Sequence, residues 1–274
     1  MSQVREYVER RELLTNLVLR ELRSRYKRST LGWTWSLLNP LSSVLIYWAV
    51  FGVVLRVPVP TGQPSGQQNF VLYLLCALIP WNFFSNGVTQ SIDALVVNAG
   101  LIRKVYFPRE LLVASTVGGL LVTFLIELGV VLVILLIAGN MVLVWIPVVV
   151  ILVALQTFIV LGIGLLLSAA NVYFRDVRHF VALIMPVLFY STPIVYPITT
   201  VPKVWHVAGR AVPLRTIYGY NPLVRLVTAY RDAVYSLRMP SWTSLGYLAL
   251  WAVGLVLVGQ YVFNRLDHRL AEEV

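Results

Sequence analysis

Between Glu127 and Arg175 the chain reads LGVVLVILLIAGNMVLVWIPVVVILVALQTFIVLGIGLLLSAANVYF, residues 128–174, with 47 consecutive residues free of formal charge. A membrane-spanning helix needs about 20 apolar residues, so this run is too long for one span and long enough for two. Gly139 and Asn140 are the only turn-forming pair near its middle. The pattern therefore predicts two antiparallel helices, about 111–138 and 141–168, joined at that pair.

The flanking sequence repeats the pattern. There are 27 uncharged residues between Arg28 and Arg56, and 36 between Arg56 and Asp93. Each gap admits one span, about 36–55 and 70–88, the second preceded by the loop composition of Pro58, Pro60, Gly62, Pro64 and Gly66. A fifth span, about 180–196, contains Pro186 and Pro193, whose freed backbone groups must be satisfied by neighbours or by a cavity. A sixth covers about 243–263. The expected fold is an all-α integral membrane protein with six transmembrane helices, a transmembrane domain over 36–263, a cytoplasmic segment 1–35 and a cytoplasmic tail 264–274.

Composition agrees. Of 274 residues 58% are hydrophobic and only 12% are Asp, Glu, Lys or Arg, against about 25% charged in a soluble protein. A soluble enzyme, a disordered tail and a disulfide scaffold are disfavoured, and the lone Cys76 reads as a small core residue. With six spans and an N-terminus inside, the cytoplasmic segments hold 15 of the 22 Lys and Arg. That asymmetry predicts both termini in the cytoplasm. The charged first 35 residues lack a signal-peptide layout, so no cleavage is expected there.

Three segments are not simple spans. On a helix, Val4, Tyr7, Val8, Leu14, Val18, Leu22 and Tyr26 share one face and Arg20, Arg23, Lys27 and Arg28 the other, the layout of a helix lying at the membrane interface. The stretch Thr89 to Glu110, with Arg103, Lys104, Tyr106, Phe107, Pro108, Arg109 and Glu110, is long enough for a short cytoplasmic helix with exposed aromatics suited to docking. Pro197 to Trp242 is too long for a structureless loop, and its apolar clusters are too short to span. It is expected to form two short re-entrant helices on the outer face, broken near Pro213 to Pro222. Lys203, Arg210, Arg215, Arg225, Arg231 and Arg238 would then lie at the outer interface, with Arg210, Arg215 and Arg225 as candidate contacts for an anionic cargo group.

The chemistry that is missing narrows the function. No Gly-rich phosphate loop ending in Gly-Lys-Ser/Thr occurs, so any ATP and Mg would be bound by a partner. His179, His206 and His268 are scattered and no cluster has metal-ligand spacing, so neither a catalytic centre nor a metal site is expected. Glu127 is the one acid deep in a span, read as an interhelical hydrogen-bonding or subunit-contact residue or as part of a transport path. Tyr47, Phe51, Trp81, Phe84, Tyr190 and Tyr196 are candidates to line a path, because sugar rings present apolar C–H faces that stack on aromatic rings.

Five motifs occur in order: Arg25-Tyr26-Lys27-Arg28-Ser29 with Leu31, Gly32, Trp35 and Asn39-Pro40; Phe107-Pro108-Arg109-Glu110; Tyr173-Phe174-Arg175-Asp176; Thr192-Pro193-Ile194-Val195-Tyr196-Pro197; and Asn221-Pro222. In this the chain resembles the permease subunits of ABC polysaccharide exporters, the O-antigen, galactan and teichoic acid class, over nearly its whole length. The resemblance implies a homodimer in the bacterial inner membrane with two copies of a separate ABC ATPase, moving a polyprenyl-pyrophosphate-linked glycan outward. It also implies an N-terminal interface helix and a coupling helix within Thr89 to Glu110, where Arg103, Lys104, Phe107, Pro108 and Arg109 would meet the ATPase. No nucleic-acid partner is implied. The competing readings are an ABC permease for drugs or lipids, an ion-coupled carrier, and an intramembrane enzyme acting on polyprenyl lipids. The last is disfavoured because Glu127 stands alone.

Overall fold

The computed structural model describes residues 3–26, 34–104, 107–207 and 210–273, with side chains at 11–24, 38, 41–104, 107–206 and 211–266. In chain order the helices are α1 (Gln3–Tyr26), α2 (Thr34–Tyr47, continuing as a π-helical segment Trp48–Val54), α3 (Phe70–Ile92), α4 (Ala94–Val97) and α5 (Ala99–Ile102). They continue with α6 (Glu110–Ile137), α7 (Ile146–Tyr173), α8 (Val177–Ser191), α9 (Leu214–Tyr220), α10 (Pro222–Tyr230, continuing as a π-helical segment Arg231–Ser236) and α11 (Trp242–Glu273). The all-α expectation needs one correction: two strands, β1 (Trp205–Val207) and β2 (Arg210–Val212), pair antiparallel before α9.

Among the described residues four helical segments are long and apolar enough to cross a membrane: Phe70–Ile92, Glu110–Ile137, Val142–Tyr173 and Trp242–Leu266. Two more, Leu41–Val54 and Val177–Ser191, are apolar but shorter. At about 1.5 Å per residue the 15-residue α8 is about 22 Å long, less than the ~30 Å hydrocarbon core. It ends where the Thr192-Pro193 peptide turns extended, since a proline cannot donate to the preceding helical turn. Gly139 adopts a positive φ of 88° and turns the chain from α6 toward α7, a geometry open to a residue without Cβ.

The central element is α3. Of its apolar window 78% is buried, against 22% for α11, because α2, α6, α7, α8 and α10 all pack on it. Phe83 stacks on Phe124 of α6 with ring centroids 4.7 Å apart, and Gln156 of α7 donates a 2.6 Å hydrogen bond to the Pro80 carbonyl. The core divides in two. The larger cluster surrounds α3 and includes Tyr230 and Tyr235, while a smaller one joins Leu17 of α1, Leu95, Ile102, Leu112, Ala169 and Phe263. The smaller cluster lies where α3 ends and α6 begins. The Gly139-Asn140 turn lies at the other end, where the Asn140 side-chain amide donates to the Val234 and Tyr235 carbonyls.

The two short helices between α8 and α11 are separated by Asn221-Pro222. Asn221 caps α10 by accepting the Leu223 N–H, and Pro222 occupies the first turn, where a missing N–H costs nothing. Against α7, α11 approaches so closely that a Cβ at Gly259 would overlap the Gly162 carbonyl, and one at Gly162 would lie 2.5 Å from the Leu255 carbonyl carbon. A Cβ at Gly254, on the same helix, would meet nothing within 4 Å. Gly259→Ala is therefore expected to lower the thermal unfolding midpoint of the purified protein, whereas Gly254→Ala leaves it unchanged or raises it through helix propensity. Equal effects of the two substitutions would refute the close α7–α11 contact.

Candidate functional site

Where α2, α3 and α8 meet, a cleft of about 400 Å³ is lined by Tyr47, Trp81, Phe189 and Tyr190 together with Ser43, Asn82 and Ser85. No charged side chain among the described residues lines it. Tyr47 lies on Phe189 at 5.6 Å with an interplanar angle of 26°, and Trp81 meets Phe189 edge-on at 5.5 Å. Phe189 in turn contacts Tyr190 at 5.1 Å. Phe51 and Phe84 stand behind, 6.2 Å from Tyr47 and 5.7 Å from Trp81.

Of the six aromatics singled out as path residues, Tyr47, Trp81 and Tyr190 thus line the cleft directly and Phe51 and Phe84 buttress it. Tyr196 is set apart, and its hydroxyl donates a 2.6 Å hydrogen bond to the Tyr190 carbonyl at the end of α8. Phe189, the ring that joins the others, was missed. The signal for it was present, since it adjoins Tyr190 and lies three residues after Pro186. Chemically the cleft offers ring faces, hydroxyls and an amide, a set that stacks on C–H faces and exchanges hydrogen bonds without holding a fixed charge.

The outer cations divide differently from expectation. Arg215 donates from Nε and Nη2 to the Val201 carbonyl and from Nη2 to that of Thr199. Arg225 donates to the Gly219 carbonyl, with its guanidinium 4.3 Å over the Tyr247 ring. Both are engaged with carbonyls of the α8–α11 connection, Arg225 also with α11, and the Arg210 side chain is outside the described residues. Arg231, placed by sequence among the interfacial cations, is instead only 6% exposed. Its guanidinium donates to three carbonyls, those of Tyr73 (3.2 Å), Pro193 (2.5 Å) and Ile194 (2.5 Å), and lies 3.6 Å over the Tyr73 ring. Pro193 and Ile194 are where α8 has broken, so Arg231 satisfies the backbone groups which that break releases. Next to it Asp232 pairs with Arg238 at 2.6 Å. Burial raises the Asp232 carboxyl above its ordinary pKa, and the Arg238 contact pulls it back.

At the opposite end, α1 lies across the start of α6. Val18 covers Gly118 and Glu21 covers Gly119, and Leu17, outside the predicted apolar stripe, is the best-buried described residue of α1. Arg20 donates a 2.7 Å hydrogen bond to Asn98 between α4 and α5, tying the interface helix to the first α3–α6 connection. Arg23 is exposed, and the side chain of Tyr26 and all of Lys27 and Arg28 lie outside the described residues. The single coupling helix expected within Thr89 to Glu110 is replaced by the continuation of α3 and two one-turn helices, because Asp93 and Asn98 interrupt the helix. Arg103 and Lys104 are exposed, Phe107, Pro108, Arg109 and Glu110 are partly buried, and Tyr106 is outside the described residues. In the same region Asn171 donates to the Ile92 carbonyl and to Asp93, which Arg178 approaches at 3.8 Å. Glu127 is buried in α6, with no hydrogen bond or ion pair among the described residues.

A bundle of apolar helices around an uncharged aromatic cleft defines a multi-pass membrane protein, with the polar connections at one end tied to an amphipathic helix. The chain belongs to the ABC-2 type transporter family, whose model matches residues 12–232. It is similar to an O-antigen export system permease protein of Klebsiella pneumoniae, 33% identical over 268 residues, which cover 95% of this chain and 94% of that protein. A protein of the same description from Myxococcus xanthus is 33% identical over 274 residues, covering 99% and 98%. The polysialic acid transport protein of Escherichia coli is 25% identical over 265 residues, 93% of each.

Two outcomes follow from these contacts. Arg231→Met strands the Pro193 and Ile194 carbonyls and is expected to cost several kcal/mol, about 3 or more, read as loss of folded, monodisperse protein. Arg231→Lys, a point donor, should recover only part of it; a wild-type midpoint for Arg231→Met would refute the role. In a Cys76→Ala background, Arg20→Cys with Asn98→Cys should be joined by a short bismaleimide in native membranes, and absence of that crosslink would refute the α1 placement.

Proposed function

We propose that the chain is the membrane permease of an ATP-driven exporter that carries a polyprenyl-pyrophosphate-linked cell-envelope polysaccharide across the cytoplasmic membrane. The observation that carries this reading is the cleft of Tyr47, Trp81, Phe189 and Tyr190, free of charge among the described residues, taken with membership of a transporter family whose similar members are named for O-antigen export and polysialic acid transport. A long polymer must slide, and each aromatic face gives a sugar ring a weak, non-directional foothold that does not stall it.

Six spans, with α2 and α8 as the short first and fifth, put both termini in the cytoplasm. In a homodimer the α2 and α8 faces of two copies enclose the path. Energy comes from two copies of a cytoplasmic ABC ATPase that binds ATP and Mg, and this chain itself is not an enzyme. The ATPase meets Arg103, Lys104 and the Tyr106 to Glu110 stretch. Movement there reaches α1 through Arg20 and Asn98, and reaches α7 and α8 through Asp93, Asn171 and Arg178.

Deleting the chain is expected to remove the surface glycan while its lipid-linked precursor accumulates inside, read by blotting of intact and lysed cells. In complementation, Trp81→Ala and Tyr190→Ala should each lower surface glycan severalfold at equal protein level, and Trp81→Phe should retain most of it. Full export by Trp81→Ala with Tyr190→Ala combined would refute the cleft as the path.

A further inference from the structure

At the end of the bundle opposite α1, a second cavity of about 230 Å³ lies between the α2–α3 connection, the segment after α8 and the end of α10. Its inner wall is the buried Arg231. Its outer part carries Asp232 and Arg238, whose side chains are 15% and 57% exposed, so the opening is on the Arg238 side. Pro60 and Pro197 give it apolar surface and Thr199 a hydroxyl.

The cavity holds two guanidiniums and one carboxylate, each already engaged. Arg231 directs its guanidinium to three carbonyls and the Tyr73 ring. Arg238 uses Nε and Nη2 on a single oxygen, Oδ1 of Asp232. That leaves Oδ2 of Asp232 as an acceptor and the Nη1 hydrogens of Arg238 as donors, both without a partner among the described residues. An incoming anion would meet the Asp232 carboxylate, and an incoming cation would meet two guanidiniums. A neutral, hydroxyl-rich ring can donate to Oδ2, accept from Nη1 and lay its C–H face on proline. The volume is below the roughly 300–1,000 Å³ of drug-sized pockets and suits one such ring.

We propose that this cavity is a saccharide subsite for a single neutral pyranose, separate from the aromatic cleft, in which the Asp232–Arg238 pair is the hydrogen-bonding element. It rests on the export reading above, with the cavity on the outer face where an emerging chain would first be held. Its position beside the α8 break places a sugar in contact with the segment that Arg231 pins.

The test uses the full chain in lipid nanodiscs with methyl α-D-galactopyranoside, methyl α-D-glucopyranoside and methyl α-D-mannopyranoside as probes, read by saturation-transfer difference NMR. At least one probe is expected to bind, with the signal reduced tenfold or more both by Asp232→Asn and by Thr199→Trp, which fills the cavity without touching the ion pair. Tyr190→Ala, in the cleft whose footholds are weak, should lower it far less than Thr199→Trp does. The variants must show the wild-type thermal midpoint to be compared, and Thr199→Trp alone decides if Asp232→Asn does not. A signal lost in Tyr190→Ala but kept in Thr199→Trp overturns the subsite while leaving the export reading intact. No signal with any of the three probes overturns it as well, whereas the export reading stands or falls separately on the glycan phenotype of the deletion.

Discussion

Where a helix breaks inside a packed bundle, its carbonyls must find donors within the protein, and this structure meets that constraint with the guanidinium of Arg231. The fifth apolar helix stops at Ser191 and the chain turns through Pro193. Two carbonyls freed there, with that of Tyr73 at the start of α3, converge on one planar donor. An arginine suits this position because its rigid fork supplies several N–H groups at fixed angles, where a lysine would supply a point. The short helices α9 and α10 follow from the same bond, because Arg231 closes α10 and fixes it to the central helix. Remove it, and the end of α8, the start of α3 and the end of α10 lose a shared contact.

The same break shapes the cleft. Because α8 is short and turns early, Phe189 and Tyr190 sit in its last turn, near the top of the gap beside α3. Tyr196 returns to bond the Tyr190 carbonyl and so closes the helix end over them. Phe189 is buried and Tyr190 is 59% exposed, which gives one fixed ring and one available ring at the same level. At the far end hydrogen bonds join α1 to Asn98 and α7 to Asp93 of the α3–α6 connection, and a 3.8 Å ion pair from Arg178 to Asp93 adds the start of α8. A push on the exposed Arg103 and Lys104 therefore acts on a connected assembly.

How much of this could be read from the residues varies with the physics involved. The long uncharged runs specify the long helices because hydrophobicity is set by composition, and the Gly139 turn is a local backbone requirement. The Pro186 and Pro193 positions state that backbone groups will be freed, but not what satisfies them. That Arg231 does so, while Arg215 and Arg225 serve nearer carbonyls, depends on contacts 158 residues apart in the chain, from Arg231 to Tyr73. No local signal distinguishes these arginines. The hairpin of Trp205–Val207 and Arg210–Val212 was not foreseen, since three-residue strands leave no readable alternation. The aromatic cleft was legible in part, as rings concentrated in three helices, and Phe189 became visible as its centre only when those helices were packed.

The central claim is that the cleft between α2, α3 and α8 carries a polysaccharide. It is tested most directly by replacing Tyr190 with the photocrosslinking residue p-benzoylphenylalanine and irradiating exporting cells, with the same residue at Leu250 on the exposed face of α11 as reference. The account predicts a ladder of glycan adducts from position 190 and none from position 250. Glycan adducts at neither position, or equally at both, would contradict it.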